Sequence, residues 1–408
     1  MSTASIQAEI SPIEKSARIE SLDVLRGFAL LGILLINILA FGLHSASTFN
    51  PLIPVGETAM DEFLNLGTWA SMSVLVEGAM RCLFSILFGA GVLLLMNKRT
   101  IGAKALHFKR HLWLLVFGLV DAFLLLWYGD ILIVYALVGV TLYFVRDWSP
   151  RALIISSALI ITLMVGVFGV VAPYGLEQAK LTGDIAWTEF DASSNPSTED
   201  QQEELIRRRD SYHTAFLWGA SSFIVVAFTL IPDALAMMLL GMALFKLGIL
   251  DASRPQLWYL RLAATGFGFG LMTNLWELQV AFAGNLELLS TFAMFIPTYH
   301  LGRLGMALGY LGAIMAICKS DALPRVRTAL AAVGRLTLTN YLIQSLIGLV
   351  LFTGAGFALV GTLERWQLYP LVVIVWAFQV WFSLRWLARY RFGPAEWLWR
   401  ALAYGKHP

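Results

Sequence analysis

The stretch Leu22-Asp23-Val24-Leu25-Arg26-Gly27-Phe28-Ala29-Leu30-Leu31-Gly32-Ile33-Leu34-Leu35-Ile36-Asn37-Ile38 decides the reading of the whole chain. Continued to about residue 42, it is long and apolar enough to cross a bilayer as one helix, because about 20 residues at a 1.5 Å rise span the hydrocarbon core. Its first two turns nevertheless carry Asp23 and Arg26. Three residues apart on a helix, these side chains share a face, where they pair with each other or jointly grip something polar. An ion pair at the start of a helix, near the lipid headgroups, is the plainer alternative. Charges inside a spanning segment are costly and rare, so this helix is the first candidate for function.

The rest of the chain agrees with a membrane setting. Of 408 residues, 58% are hydrophobic and only 14% are charged, against about 25% charged in soluble domains. The net charge of +2 offers no clustered basic surface and excludes a nucleic-acid partner. Cys82 and Cys318 both fall in apolar runs, so neither a disulfide framework, a metal site nor redox chemistry is expected. Residues 1–20 are polar, and the apolar run after them is too long and lacks a small-residue cleavage site, so it reads as a retained helix.

Hydropathy predicts an all-α bundle of about ten transmembrane helices, near 22–42, 67–97, 107–127, 130–146, 151–172, 216–246, 257–282, 296–318, 329–353 and 367–390. The segment 67–97 is overlong and contains Glu77 and Arg81, which predicts a helix that is tilted, broken or preceded by an interfacial piece. The segment 284–300, with Pro297, admits a re-entrant reading. Of the 29 lysines and arginines, only Lys180, Arg207, Arg208, Arg209 and Arg365 fall in segments assigned to the outer side, and Arg26, Arg81 and Arg303 lie within spans. The positive-inside rule then places both termini in the cytoplasm. The domain reading is a cytoplasmic segment 1–20, one transmembrane domain 21–400 and a cytoplasmic tail 401–408. Residues 173–214 form an extracytoplasmic loop with a short surface helix near 199–209.

On this topology the intramembrane polar residues fall at two depths. The inner set is Asp23, Arg26, Arg335, Asn340, Gln344, Glu396 and Arg400; the outer set is Asn37, His44, Glu77, Arg81, Asp121, Asp130, Asn274, Glu277, His300 and Arg303. Two such sets suit a protein that takes something from one face and delivers it to the other. Each has a plainer alternative. Glu77 and Arg81, four apart, can neutralise each other within the bundle. Asp130 opens a helix and can serve its N-terminus. His44 and His300 lie near loops, where a lone histidine is commonly structural.

The run from Leu22 to Gly27, with Ala29-Leu30-Leu31-Gly32-Ile33-Leu34 and Asn37, resembles the opening of the YeiB-type bacterial inner-membrane proteins. Further blocks agree in order and spacing: Leu83-Phe84-Ser85-Ile86-Leu87-Phe88-Gly89-Ala90-Gly91, Gly129-Asp130-Ile131-Leu132, Gly334-Arg335-Leu336-Thr337-Leu338-Thr339-Asn340-Tyr341 and Gly393-Pro394-Ala395-Glu396-Trp397-Leu398-Trp399-Arg400. That family is similar, more distantly, to transmembrane acyltransferases, including the lysosomal enzyme that acetylates terminal glucosamine of heparan sulfate from cytosolic acetyl-CoA; the shared element is the Asp-x-x-Arg-Gly opening.

The resemblance implies a multi-pass protein of the bacterial inner membrane that moves an acyl group from cytoplasmic acetyl-CoA or another acyl-CoA to an extracytoplasmic or lipid-linked hydroxyl or amine. It implies donor contacts by Asp23, Arg26, Arg335, Asn340, Glu396 and Arg400. Chemistry falls to His44 or Asp121 as base with Arg81 at the oxyanion, and with Asp130 beside them. The heparan enzyme resembles this chain in carrying a catalytic histidine in the outer loop after its first helix. The family commonly has a histidine in the third helix where this chain has Asp121, a departure that puts the base in question. A transporter or permease for a small polar or lipid-like substrate is the rival class, since ionisable groups at two depths also suit proton coupling. Expected partners are membrane lipids and the acceptor; helix faces rich in glycine and aromatics also admit a homodimer.

Overall fold

A computed structural model describes residues 20–51, 53, 58–97, 102–194, 196–286 and 298–405. Among these residues the regular structure is helical, with no strand. The first run of helices comprises α1 (Glu20–Gly42), α2 (Ser45–Phe49), α3 (Ala59–Leu75), α4 (Ala79–Asn97), α5 (Ala103–Phe123), α6 (Ile131–Val145) and α7 (Pro150–Gly166). A π-helical turn, Val167–Val171, leads into α8 (Ala172–Thr182), followed by α9 (Ile185–Ser194), α10 (Thr198–Asp210) and α11 (Tyr212–Lys246). The last are α12 (Gln256–Ala283), α13 (Tyr299–Cys318), α14 (Pro324–Arg335), α15 (Thr337–Phe352), α16 (Leu368–Leu387) and α17 (Pro394–Tyr404).

Among the described residues, five stretches are long and apolar enough to cross a membrane: Glu20–Gly42, Ala59–Met96, Pro150–Thr182, Tyr299–Cys318 and Leu368–Leu387. The bent pair α14–α15 makes a sixth if taken as one span. The molecule is a helical membrane protein. Each of the ten predicted segments coincides with helix, but two are divided. The overlong 67–97 breaks at Val76-Glu77-Gly78, where Gly78 takes φ +68°, a left-handed conformation that glycine alone adopts at little cost. The predicted 329–353 turns by 80° at Leu336, between α14 and α15. The re-entrant reading of 284–300 falls mostly on 287–297, outside the described residues, as do residues 1–19 and 406–408. Residues 173–214, expected as loop around one short helix, are mostly helical, as α8, α9 and α10.

The helix α1 is the central post. One apolar core holds its Leu30, Leu34 and Ile38 against α5, α6, α15 and α16; another holds Leu22, Leu25 and Ala29 against α4, α11 and α13. Its closest neighbour is α14. A methyl group on Gly27 would strike the Leu330 carbonyl, and one on Gly334 would strike the Asp23 carbonyl, so the two backbones meet where neither has a side chain. The pair α12–α13 uses the same device through Gly266, Gly270 and Gly305.

Candidate functional site

The break between α3 and α4 opens a cavity of about 70 Å³. Its wall comes from α1, the break itself, the α5–α6 turn, α11 and α15, and its polar lining is Asn37, Glu77, Arg81 and Tyr341. Gly78 shapes this wall: a Cβ there would lie 2.7 Å from Arg303 Cδ and 2.9 Å from the Tyr299 hydroxyl. Because the chain leaves the helical path at Gly78, Glu77 and Arg81 do not form an i,i+4 pair. They are joined instead through Tyr299, whose hydroxyl donates to Glu77 Oε1 at 3.0 Å and accepts from Arg81 Nη2 at 3.3 Å.

Behind the cavity lies an ion cluster shared by α4, α11 and α13. Asp233, buried within α11, is held by Arg303 Nη2, with Arg81 Nε 3.5 Å from its other oxygen and His300 Nδ1 4.0 Å away. Arg303 is 2% exposed, whereas Arg81 keeps 28% of its side chain accessible. The first arginine is therefore consumed by the fold, while the second lines the cavity and keeps part of its side chain accessible.

On the opposite wall, the Tyr341 hydroxyl accepts from Trp127 Nε1 at 3.0 Å and from the Ile131 backbone N–H at 3.2 Å, and donates to Asp130 Oδ1 at 3.3 Å. Asp130 N-caps α6, its other oxygen accepting from Ile133 N at 2.8 Å. Next to it is Asp121, fully buried, with Asp130 and Ser345 as its polar neighbours. The cavity wall therefore holds Arg81 and Asn37, while Asp130 lies behind Tyr341 and Asp121 beside Asp130, neither carboxyl lining the cavity.

His44 lies elsewhere. It N-caps α2, its Nδ1 accepting from Ala46 N at 3.1 Å, and its Nε2 lies 2.8 Å from Glu204 Oε2. Both ring nitrogens are engaged, which leaves none aimed at a reacting group. Glu204 also accepts from Ser45 Oγ at 2.6 Å. Burial opposes its charge, yet the bonds from His44 and Ser45 and the nearby Arg208 hold its carboxyl below the usual carboxylate range. Arg208 donates to the carbonyls of Leu43, Ala40 and Phe41 at 2.7–2.9 Å. It closes the open end of α1 in the manner of a C-terminal cation, so α10 is latched onto the central post.

The set predicted for the donor divides in two. Asp23 and Arg26 pair at 3.3 Å, and the Arg26 guanidinium lies over Gly91 of α4, where a methyl group would come within 3.4 Å of it. Arg26 retains 27% exposure. Arg335 reaches the Arg391 carbonyl at 3.5 Å, and Arg400 packs over Phe392 at 4.4 Å. By contrast, Asn340 is wholly buried, donating to Ser383 Oγ at 2.9 Å within an amide chain that includes Gln344 and Gln379. Glu396 caps α15, accepting from Leu338 N at 2.7 Å, Thr339 N at 3.1 Å and Thr339 Oγ1. These bonds commit both side chains to neighbouring helices.

Of the remaining outer residues, Asn274 donates to the Val74 carbonyl at 2.7 Å and ties α12 to α3, while Glu277 is buried nearby. Sequence reasoning missed Asp233, Tyr299, Tyr341 and Glu204. Only Asp233 had a signal, a lone carboxylate after Pro232 inside a long apolar run. Among the described residues, no group of three or more His, Cys, Asp or Glu could hold a metal ion.

These features define a multi-helix membrane protein with polar side chains on the wall of a cavity between its helices. A family model described as a protein of unknown function, DUF418, matches residues 244–406. The uncharacterized protein YeiB of Escherichia coli (strain K12) is 32% identical over 395 residues, covering 94% of this chain and 95% of that protein. The uncharacterized protein YxaH of Bacillus subtilis (strain 168) is 27% identical over 416 residues, covering 97% of each. The chain belongs to the YeiB family. No solved structure matches it significantly.

Proposed function

We propose that this protein is an acyltransferase of the bacterial inner membrane, with ten crossings and both termini cytoplasmic. It moves an acyl group from cytoplasmic acyl-CoA to an extracytoplasmic or lipid-linked hydroxyl or amine. The observation that carries this reading is the continuity of α1. One continuous helix presents Arg26 toward its first end and Asn37 in the wall of the cavity, about 16 Å further along its axis. That separation suits a donor whose phosphates stay at one end while its thioester, on a long flexible arm, reaches the other.

The residues fit such a donor in part. Arg26, Arg335 and Arg400 are partly exposed cations at one end and would hold its phosphates; Asn340 and Glu396 are committed to the fold. At the cavity, Arg81 would stabilise the developing oxyanion, fixed in place by Asp233 and Tyr299. Because both nitrogens of His44 are engaged, the proton acceptor belongs on the Tyr341 side of the cavity.

Incubating the purified protein with labelled acetyl-CoA and a panel of amino sugars, polyols and lipid headgroups tests the proposal. Label transfer is the expected result, and absence of any CoA binding overturns it. The carboxyl pair Asp121–Asp130, which has no cation partner among the described residues, favours a second reading, a proton-coupled transporter. Substrate accumulation in proteoliposomes without CoA turnover would select it.

A further inference from the structure

The Asp121 carboxyl group is fully buried, and among the described residues neither oxygen makes a hydrogen bond of normal length and angle, with the Ser345 hydroxyl beside it. Its neighbour Asp130 is 1% exposed. The groups facing this pair are polar but carry no positive charge: Tyr341 and Ser345 on α15 and the α6 backbone amides of Leu132 and Ile133. Gly118, one turn before Asp121, leaves room for the approach, since a methyl there would lie 2.8 Å from Asp130 Oδ2. Two carboxylate acceptors placed side by side in an apolar interior repel, whereas a single proton between them turns the contact into a hydrogen bond. Tyr341, whose hydroxyl bonds Asp130, is the lining residue that joins the pair to the cavity wall among the described residues.

We infer that Asp121 and Asp130 hold one proton in common and form the proton acceptor of the cavity, reached through the Tyr341 hydroxyl. The role of the pair as base rests on the acyl-transfer reading; its proton binding does not. In that reaction the Tyr341 proton moves first to the carboxyl pair, and the lone pair this frees on the Tyr341 oxygen then takes the proton of the acceptor's O–H or N–H. The lone pair freed on the acceptor forms the bond to the acyl carbon, and the carbon–sulfur bond breaks with its electrons going to sulfur. The pair, now holding two protons, returns one through Tyr341 to the thiolate. Trp127 Nε1–H and the Ile131 N–H, both donated to the Tyr341 oxygen, stabilise the negative charge it bears in transit.

Infrared spectra of the purified protein in lipid nanodiscs at neutral pH, in H2O and in D2O, test the inference. The expected result is a carbonyl band of a neutral carboxylic acid that shifts in D2O, disappears in both Asp121→Asn and Asp130→Asn, and persists in Glu277→Gln. If the asparagine variants fail to fold, Asp121→Glu should move the band without abolishing it. A band untouched by every substitution in the pair overturns the inference. Tyr341→Phe should slow the deuterium shift of the band at least tenfold; unchanged exchange removes Tyr341 from the path. A band that behaves as expected in a protein showing no CoA binding sustains the proton pair and sinks acyl transfer, and the converse result does the reverse.

Discussion

His44 Nε2 and Glu204 Oε2 lie 2.8 Å apart, joining the loop after α1 to a helix from the long polar segment. Glu204 is held below the ordinary carboxylate value of 4.5. A carboxyl lowered in the folded state contributes stability that is present above the unfolded value and lost as pH falls through the folded one. The α10 latch is therefore expected to loosen on acidification below about pH 4.5. Protease accessibility of residues 196–211 should rise over that range. Glu204→Ala should expose the same segment at neutral pH and cost about 2 kcal/mol, because it strips charged hydrogen bonds from His44, Ser45 and Arg208.

The two arginines on Asp233 differ in what they support. Asp233→Ala leaves Arg303 buried without its counter-ion and should destabilise by about 3–5 kcal/mol, seen as loss of the monodisperse peak in detergent. Arg81→Gln leaves the Asp233–Arg303 pair intact. It should elute normally while losing about 100-fold or more of acyl transfer, the scale for removing one oxyanion donor.

Gly27→Ala and Gly334→Ala force a methyl into a backbone carbonyl on the facing helix, where nothing flexible can yield. Each should cost about 1–3 kcal/mol by overpacking. The comparison is Gly67→Ala and Gly166→Ala, on helices where nothing lies within 4 Å of the added methyl. Those should be neutral or stabilising by up to about 1 kcal/mol. Thermal unfolding of all four in one detergent distinguishes the contacts from a general intolerance of alanine.

Glu396 and Arg26 separate support of the fold from donor binding. Glu396→Ala removes the cap from α15 and should lower stability by about 1–2 kcal/mol, leaving the KM for acyl-CoA unchanged. Arg26→Gln should instead raise that KM severalfold, with a smaller loss of stability than Asp233→Ala, because Arg26 keeps accessible surface although its partner Asp23 is buried.

Much of this architecture was legible in the order of residues. The apolar run from Leu22 and the charges three apart within it predicted the opening helix and the Asp23–Arg26 pair, and the length of 67–97 marked that segment as irregular, with a break among the alternatives but not its place at Gly78. Hydropathy and helical period report length and face, so they located helices well. The same signals marked Asp121, Asp130 and Arg81 as intramembrane polar groups. They carry no information on which distant residue stands opposite.

For that reason the partners were decided by the tertiary structure alone. Glu77 and Arg81 look like an i,i+4 pair in sequence, but the left-handed turn at Gly78 separates them, and Tyr299 of α13 joins them. Asn340 and Glu396 look like ligands until α16 and α15 are packed against them. His44 looks like a free outer base until α10 folds onto α1 and brings Glu204 to its ring. The sequence by itself determined a helical membrane protein whose first helix carries buried polarity, because the cost of dehydrating charge is written residue by residue. Only the packing of α1 against α4, α5, α11 and α15 decided which of those groups neutralise one another and which are left facing a cavity, since that depends on contacts between segments hundreds of residues apart.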